Sequence, residues 1–302
     1  MRLVTRSDFD GLVCGVLLKV EGLVDRYAFV HPKDLQDGLF AVDKKDILAN
    51  VAYAPGCGMW FDHHSSEIER VGGSPVEGLV KVAPSCARVI WEYYGGHAKF
   101  SAHLDSLLDA VDKVDSGMLT ADDVNNPKGW TLLGFVMDPR TGIQNQSGFA
   151  LSPYDLMIKL IDACAVMPAD EVLALPDVAQ RCERYFAQEA LFRNMLSQCS
   201  RQTGNVLVTD LRNQEEIYGG NRFTAYAMYP DCNVSVQVMW GYKKQRVILS
   251  VGHSILNRTS KADIGKLMLR YGGGGHVRVG TCQVPVDRAD AVLAEIVAAV
   301  TE

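Results

Sequence analysis

Short apolar segments alternate with helix-forming segments through the first half of the 302-residue chain. Strands that alternate with helices form a parallel sheet, because a parallel connection needs a helix-length segment to return to the same edge. The pattern therefore predicts an α/β fold for the N-terminal half, with right-handed crossovers. The predicted elements are strands 3–5, 27–30, 39–42 and 58–61 and helices 12–20, 83–94 and 104–114.

The second half of the chain changes character twice. Residues 151–204 are helix-forming, with breaks at Pro168 and Pro176, and predict a helical connector. From residue 205 onward, strand-type runs return at 206–209, 234–238 and 246–251, followed by helices 262–271 and 290–301. We therefore expect a domain over 1–150, a connector over 151–204 and a smaller mixed α/β domain over 205–302.

Composition narrows the classes of protein that fit this pattern. The net charge of −6 argues against broad, nonspecific binding to nucleic acid or to an anionic membrane. The eight cysteines contain no Cys-x-x-Cys pair, which is typical of buried thiols in a reducing compartment. The N-terminus does not resemble a signal peptide, and no apolar run approaches the roughly 20 residues of a membrane helix. These features predict a cytoplasmic protein.

Two clusters of acidic and histidine residues follow predicted strands. Asp8 and Asp10 follow the first strand, where alternate side chains point the same way and two carboxylates can face one point. Converging carboxylates repel each other unless a cation lies between them, but helix capping explains this pair equally well. Asp62, His63 and His64 follow the strand 58–61. A solvated turn would also explain these three, but their position favours a metal site, because functional groups gather at the carboxyl ends of parallel strands.

A third acidic segment, residues 112–117, follows the helix that begins at residue 104. Solvated acids at a helix C-terminus are slightly unfavourable against the helix dipole, which favours a bound cation there. Carboxylates with one or two imidazoles suit Mn²⁺ or Mg²⁺ better than structural zinc. Several aspartates that can bridge predict two ions about 4 Å apart.

Four glycines precede a histidine at residues 272–276. Glycines let the backbone aim several N–H groups at one anion, although a flexible hairpin would also explain a glycine run. Arg258 lies just upstream of this glycine run, after a predicted strand, and is well placed to bind a phosphate. For Arg278, phosphate binding and surface solvation both remain open.

The order of these motifs resembles the DHH phosphoesterases. Asp-x-Asp-Gly, an isolated Asp, Asp-His-His and Asp-Ser-Gly match the family's motifs one to four, and the GGGGH run resembles the glycine-rich loop of the DHH-associated domain. The resemblance spans essentially the whole chain and is to the exopolyphosphatase-related and oligoribonuclease-like branch. It implies a metal-binding DHH domain over 1–150 and a substrate-binding domain over 205–302, with substrate in a cleft between them.

The resemblance also implies roles for individual residues. The implied metal ligands are Asp8, Asp10, Asp46, His63 and Asp115, with Asp43 as the alternative to Asp46. The implied catalytic residues are Asp62, His63 and His64. The implied substrate-binding residues are Arg6, His64, Arg258, Gly273, Gly274, Gly275 and His276. Many family members have His where this chain has Arg6, so either one ion is tight and another arrives with substrate, or Arg6 holds a phosphate.

The predicted function is a metal-dependent hydrolase of phosphoester or phosphoanhydride bonds that uses metal-activated water. Its substrate would be a small phosphorylated molecule: a short oligonucleotide, a nucleotide or polyphosphate. The expected cofactor is Mn²⁺, as two ions, with Mg²⁺ or Co²⁺ as alternatives. We expect no membrane partner and no extended duplex, and a homodimer remains open. The alternative is a nucleotide- or phosphate-sensing regulatory protein on the same fold with weak or no turnover, which Arg6 would favour.

Overall fold

The computed structural model describes residues 1–301, without the side chain of Asn145. By its internal contacts the chain divides into two units. The first unit contains Met1–Met118 and Pro127–Tyr185, and the second contains Leu119–Asn126 and the residues from Phe186 onward. No helix within residues 1–301 combines the length and the apolar character needed to cross a bilayer.

The strands and helices have the following bounds. The strands are β1 (Arg2–Thr5), β2 (Arg26–Phe29), β3 (Asp46–Ala49), β4 (Met59–Asp62), β5 (Glu77–Val80), β6 (Ser200–Thr203), β7 (Val206–Asp210), β8 (Val234–Trp240), β9 (Arg246–His253), β10 (Gly274–His276) and β11 (Val279–Pro285). The helices are α1 (Phe9–Val20), α2 (Pro32–Gln36), α3 (Ser65–Val71), α4 (Cys86–Tyr93), α5 (Asp105–Asp115), α6 (Ala121–Asn125), α7 (Gly129–Met137), α8 (Pro153–Cys164), α9 (Ala169–Leu173), α10 (Pro176–Cys199), α11 (Thr224–Met228), α12 (Ile264–Leu269) and α13 (Ala289–Val300).

The first unit is built on a parallel sheet in the order β2-β1-β3-β4-β5. Every residue of β3 and β4 is buried, as expected for strands that are covered on both faces. Helix α1 supplies a continuous buried segment from Phe9 to Leu18 to the same core. The predicted α/β fold is confirmed.

The predicted strand at residues 39–42 is wrong. The chain forms no regular element there, and the side chain of Leu39 is 76% exposed. The strand is β3 instead, where Ile47, Leu48 and Ala49 are fully buried between β1 and β4. Burial in the sheet stabilises the second apolar run and not the first. This strand therefore ends at Ala49, and Asn50 follows its carboxyl end.

The second unit contains a mixed sheet in the order β10-β11-β9-β8-β7-β6. Its neighbouring strands are antiparallel except for β7 and β8, which are parallel. Strand β8 alternates between buried and half-buried residues, and its buried valines share a core with α12 and α13. A sheet with one face covered by helices gives this period of two.

The helix-forming segment 151–204 divides between the two units. Residues 151–185 belong to the first unit, where Leu156, Leu160 and Ile161 of α8 lie in the same core as α1. The boundary after residue 185 falls inside the continuous helix α10.

Candidate metal centre

Three neighbouring strands of the first sheet end in polar residues. Asp8 follows β1 and caps α1, Asn50 follows β3, and Asp62 is the last residue of β4. Strands β1, β3 and β4 are adjacent and parallel, so their carboxyl ends lie at one edge of the sheet. This edge brings together the residues of separate sequence motifs.

One imidazole and two carboxylates face a common point at this edge. The ligand atoms of Asp10, His63 and Asp115 all lie within 4.8 Å of one another. His63 Nε2 is 3.3 Å from Asp115 Oδ2 and 3.7 Å from Asp10 Oδ2. The other ring nitrogen of His63, Nδ1, is 3.1 Å from the carbonyl oxygen of Ala83. If Nδ1 carries the proton and donates it to that carbonyl, Nε2 presents a lone pair to the cluster.

Asp10 is held by the start of helix α4. Its carboxylate oxygens accept the backbone N–H groups of Cys86 and Ala87, each at 2.9 Å. Burial, reinforced by the nearby Asp115, nevertheless raises the pKa of Asp10 to about 7. The cluster without an ion therefore carries a repulsion that a divalent cation would relieve.

Asp62 orients the second histidine of the pair. The Asp62 Oδ1 atom lies 2.8 Å from His64 Nδ1 and also accepts the His63 backbone N–H at 2.9 Å. Burial lowers the pKa of His64, but the hydrogen bond and charge of Asp62 outweigh it, so the pKa of His64 is raised overall. A protonated His64 would be a donor suited to a phosphate oxygen.

Buried polar atoms without partners support a metal site at this edge. Among the described residues, six buried side-chain atoms have no hydrogen-bond partner, and four of them are Thr5 Oγ1, Asn50 Oδ1, Asp62 Oδ2 and His63 Nε2. Leaving one such atom unsatisfied costs about 1–3 kcal/mol. All four belong to residues at or next to the ends of β1, β3 and β4. Oxygen and imidazole donors of this kind fit Mn²⁺ or Mg²⁺.

The structure places Asp46 away from this cluster, in contrast to its predicted role as a ligand. Asp46 is the first residue of β3, so it lies at the opposite edge of the parallel sheet. Both of its carboxylate oxygens bind Arg2, whose Nε and Nη2 atoms each lie at 2.7 Å. The alternative ligand, Asp43, precedes Asp46 and accepts the backbone N–H of Lys45. Both residues therefore belong to a structural ion pair and its turn.

We expect Asp46→Asn to lower the free energy of unfolding by about 2 kcal/mol at pH 7, because Arg2 loses a charge-assisted partner. Burial raises the pKa of Asp46, but hydrogen bonds from Arg2 outweigh it and hold this pKa below its usual value. A lowered carboxyl pKa gives stability that is present above about pH 4 and is lost as the pH falls. Urea denaturation at pH 7 and pH 3.5 should therefore show a difference that shrinks in acid.

The control for this prediction is Asp109→Asn, since the Asp109 side chain is 78% exposed and its partner, Arg88, also binds Asp112. Exposed pairs contribute little, so its effect should stay within about 0.5 kcal/mol. A destabilisation by Asp46→Asn that is equal at both pH values would contradict the ion-pair explanation.

Asp8 has partners on both carboxylate oxygens. Oδ1 accepts the Gly11 backbone N–H at 3.0 Å and the Asn50 side-chain amide at 3.1 Å. Oδ2 lies 3.1 Å from Nε of Arg6. Sequence reasoning missed Asn50, although it follows β3 as Asp8 follows β1; the misplaced strand at 39–42 concealed this position.

A cationic pocket lies within the second unit. Arg258, Lys261 and Arg278 line a cavity of about 200 Å³. Its other lining residues are His253, Ser254, Ser260 and Val277. Arg258 is fixed at its Nε, which donates to the carbonyl of Ile255 at 2.7 Å. Several cations around a small cavity suit an anionic group such as a phosphate.

The four consecutive glycines, Gly272 to Gly275, differ in their hydrogen bonds and in the space around them. The N–H groups of Gly272 and Gly273 donate to carbonyls of helix α12, which is at odds with the predicted role of the Gly273 amide in gripping an anion. Gly275 pairs with Gly280 in the hairpin of β10 and β11, and His276 pairs with Val279. Gly274 pairs with Thr281 in the same hairpin. A Cβ added at Gly274 would meet no atom within 4 Å, in contrast to Gly273 and Gly275.

Comparison with known proteins gives matches among solved structures. No protein-family model matches the chain, and no curated protein matches it. The chain is similar to PggH, a pGpG-specific phosphodiesterase from Vibrio cholerae, with 46% sequence identity, a TM-score of 0.86, and coverage of 98% of this chain and 97% of that one. RecJ from Thermus thermophilus, solved with Mn²⁺, gives 14% identity and a TM-score of 0.49 over 98% of this chain and 51% of its own. CDC45 from Entamoeba histolytica gives 8% identity and a TM-score of 0.40 over 100% and 95%.

Proposed function

Since the chain belongs to the DHH family of phosphoesterases, which hydrolyse phosphoester bonds, we propose that its substrate is a short linear dinucleotide of the pGpG type. The expected reaction cleaves the internal phosphodiester of pGpG with water and releases two molecules of GMP. The similarity to PggH, at 46% identity over 98% of the chain, carries this proposal. It fits a protein of net charge −6, for which a short substrate needs only local cationic groups.

We propose that Asp10, His63 and Asp115 hold a divalent cation, with Mn²⁺ as the expected ion and Mg²⁺ or Co²⁺ as alternatives. The compact cluster and its unpartnered His63 Nε2 support this assignment. When bound, the cation would supply an activated water and neutralise charge on the phosphoryl group. His64, positioned by Asp62, would donate a hydrogen bond to a phosphate oxygen, and Arg6 would add a second donor.

For the second unit we propose that the pocket around Arg258 binds a phosphate group of the substrate. Three cationic side chains around one small cavity support this role. The open position at Gly274 supports contact between substrate and backbone there. His276, in the same hairpin, stays a predicted contact.

The test is a substrate panel measured with the full chain in the presence of Mn²⁺. We expect rapid release of GMP from pGpG and much slower hydrolysis of cyclic di-GMP, longer oligonucleotides and polyphosphate. Chromatography of the products distinguishes these reactions directly. Binding of pGpG without release of GMP would instead support a nucleotide-sensing regulatory protein, and rapid hydrolysis of polyphosphate would contradict the dinucleotide proposal.

Within this assay, Arg258→Ala should raise KM for pGpG by roughly 30-fold, the equivalent of losing one charge-assisted hydrogen bond. The matched control is Arg246→Ala, an exposed arginine at the start of β9 in the same unit. Equal effects of the two substitutions would contradict a specific role for Arg258.

A further inference from the structure

Asp8 differs electrostatically from the neighbouring Asp10 of the metal cluster. Its Oδ2 is paired with the guanidinium of Arg6 at 3.1 Å, so a full positive charge already balances it. Asp10 accepts backbone N–H groups at 2.9 Å, which carry no net charge. Of these two neighbouring carboxylates, Asp10 therefore keeps the greater attraction for an added cation.

Asn50 acts on the same carboxylate. Its amide donates to Asp8 Oδ1 at 3.1 Å, a contact that a carboxylate at this position could not make without a proton. The residue is 1% exposed and has a left-handed backbone with φ of 57°. Its Oδ1 atom is buried and has no hydrogen-bond partner among residues 1–301, so it remains as a neutral acceptor beside the cluster.

These contacts determine how many cations the edge can hold. A guanidinium stays protonated and cannot act as a ligand, so a cation at Asp8 would have to displace Arg6 or lie beside its positive charge. It would also have to replace the Asn50 hydrogen bond. At the cluster of Asp10, His63 and Asp115, two carboxylates and an imidazole nitrogen face one another, and within residues 1–301 no guanidinium pairs directly with either carboxylate.

We propose that the chain binds one divalent cation tightly, at Asp10, His63 and Asp115, and that Arg6 and Asn50 together prevent Asp8 from binding a second. Asn50 Oδ1 is then available as a neutral ligand or as an acceptor for water on the first ion. The inference rests on the proposed metal-dependent function and replaces the two ions predicted from the sequence.

The test is a Mn²⁺ titration of the metal-free full chain, followed by electron paramagnetic resonance and by calorimetry. We expect one tightly bound ion per wild-type chain and no signal from a coupled pair of ions. Arg6→Ala and Asn50→Asp should each tighten binding of a second ion by about tenfold or more, since the first removes the positive charge paired with Asp8 and the second adds a carboxylate beside it. Asp is well suited to replace Asn50, because both residues tolerate positive φ.

The matched control is Arg26→Ala, which removes an exposed arginine at the start of β2, at the opposite edge of the same sheet. It should bind one ion, like the wild type, and thermal unfolding of each variant should verify that it is folded. Two equally tight ions in the wild type would overturn this proposal but not the metal-dependent function. The same holds if Arg6→Ala and Asn50→Asp still bind only one ion. Absence of any bound Mn²⁺ would overturn it together with the metal-dependent function.

Discussion

His63→Ala should lower kcat/KM for pGpG by about a thousandfold and Mn²⁺ affinity by at least about a hundredfold. The residue supplies the imidazole between the carboxylates of Asp10 and Asp115, with its Nε2 atom 3.3 Å from the nearer one. Without it, two carboxylates remain close together in a site where burial already raises the pKa of Asp10. Both losses are measured on the same protein, by steady-state kinetics and by Mn²⁺ titration.

The matched control is His103→Ala. Its Nε2 atom lies 2.8 Å from a backbone carbonyl, that of Ala165, in the same unit, so the substitution also removes a histidine and a contact to the main chain. Activity and Mn²⁺ affinity should remain within about twofold of the wild type, as for a substitution outside the site. A His63→Ala variant that keeps wild-type Mn²⁺ affinity would show that the ion binds elsewhere.

Gly273→Ala should lower the free energy of unfolding of the second unit by about 3 kcal/mol. A Cβ at this position would lie 2.2 Å from the carbonyl oxygen of Thr281 and 2.7 Å from the Cα of Cys282. These are backbone atoms of β11, and strand β9 binds β11 on its other side, so the hairpin cannot move aside without disturbing the sheet. Urea denaturation followed by circular dichroism measures the loss.

Gly274→Ala is the matched control, one residue away in the same glycine run. Its Cβ would meet no atom within 4 Å, so its stability should lie within about 0.5 kcal/mol of the wild type. If substrate contacts the backbone here, Gly274→Val should weaken pGpG binding while leaving the fold intact. Equal destabilisation by the two alanine substitutions would mean that packing against β11 is not what requires glycine at position 273.

The sequence motifs and the family resemblance named all three residues of the candidate cluster, two of which follow strands while Asp115 ends helix α5. Asp10 and His63 come just after the ends of β1 and β4, and the structure brings them together with Asp115. Sequence reasoning placed the strand between β1 and β4 wrongly, since the apolar residues at 39–42 and at 47–49 look alike locally. Which run is buried depends on what packs around it. Because the strand is Asp46–Ala49, the residue after its carboxyl end is Asn50, and Asp46 lies at the opposite end.

The glycine run shows a second limit of sequence reasoning. Four identical residues give no sign of which one needs its missing side chain. In the structure Gly273 packs against the backbone of β11, whereas Gly274 faces open space. The requirement at each position arises from neighbours outside the glycine run, such as Thr281.

The two amide donors that hold Asp10 belong to the main chain at Cys86 and Ala87. Nineteen of the twenty amino acids would present the same N–H at either position, so these two hydrogen bonds do not depend on which side chain is there. Proline is the exception, because it has no N–H to give. Residue 86 is the first residue of helix α4, a position at which proline is ordinarily favoured. Here a substitution that general helix rules favour would remove a donor from Asp10.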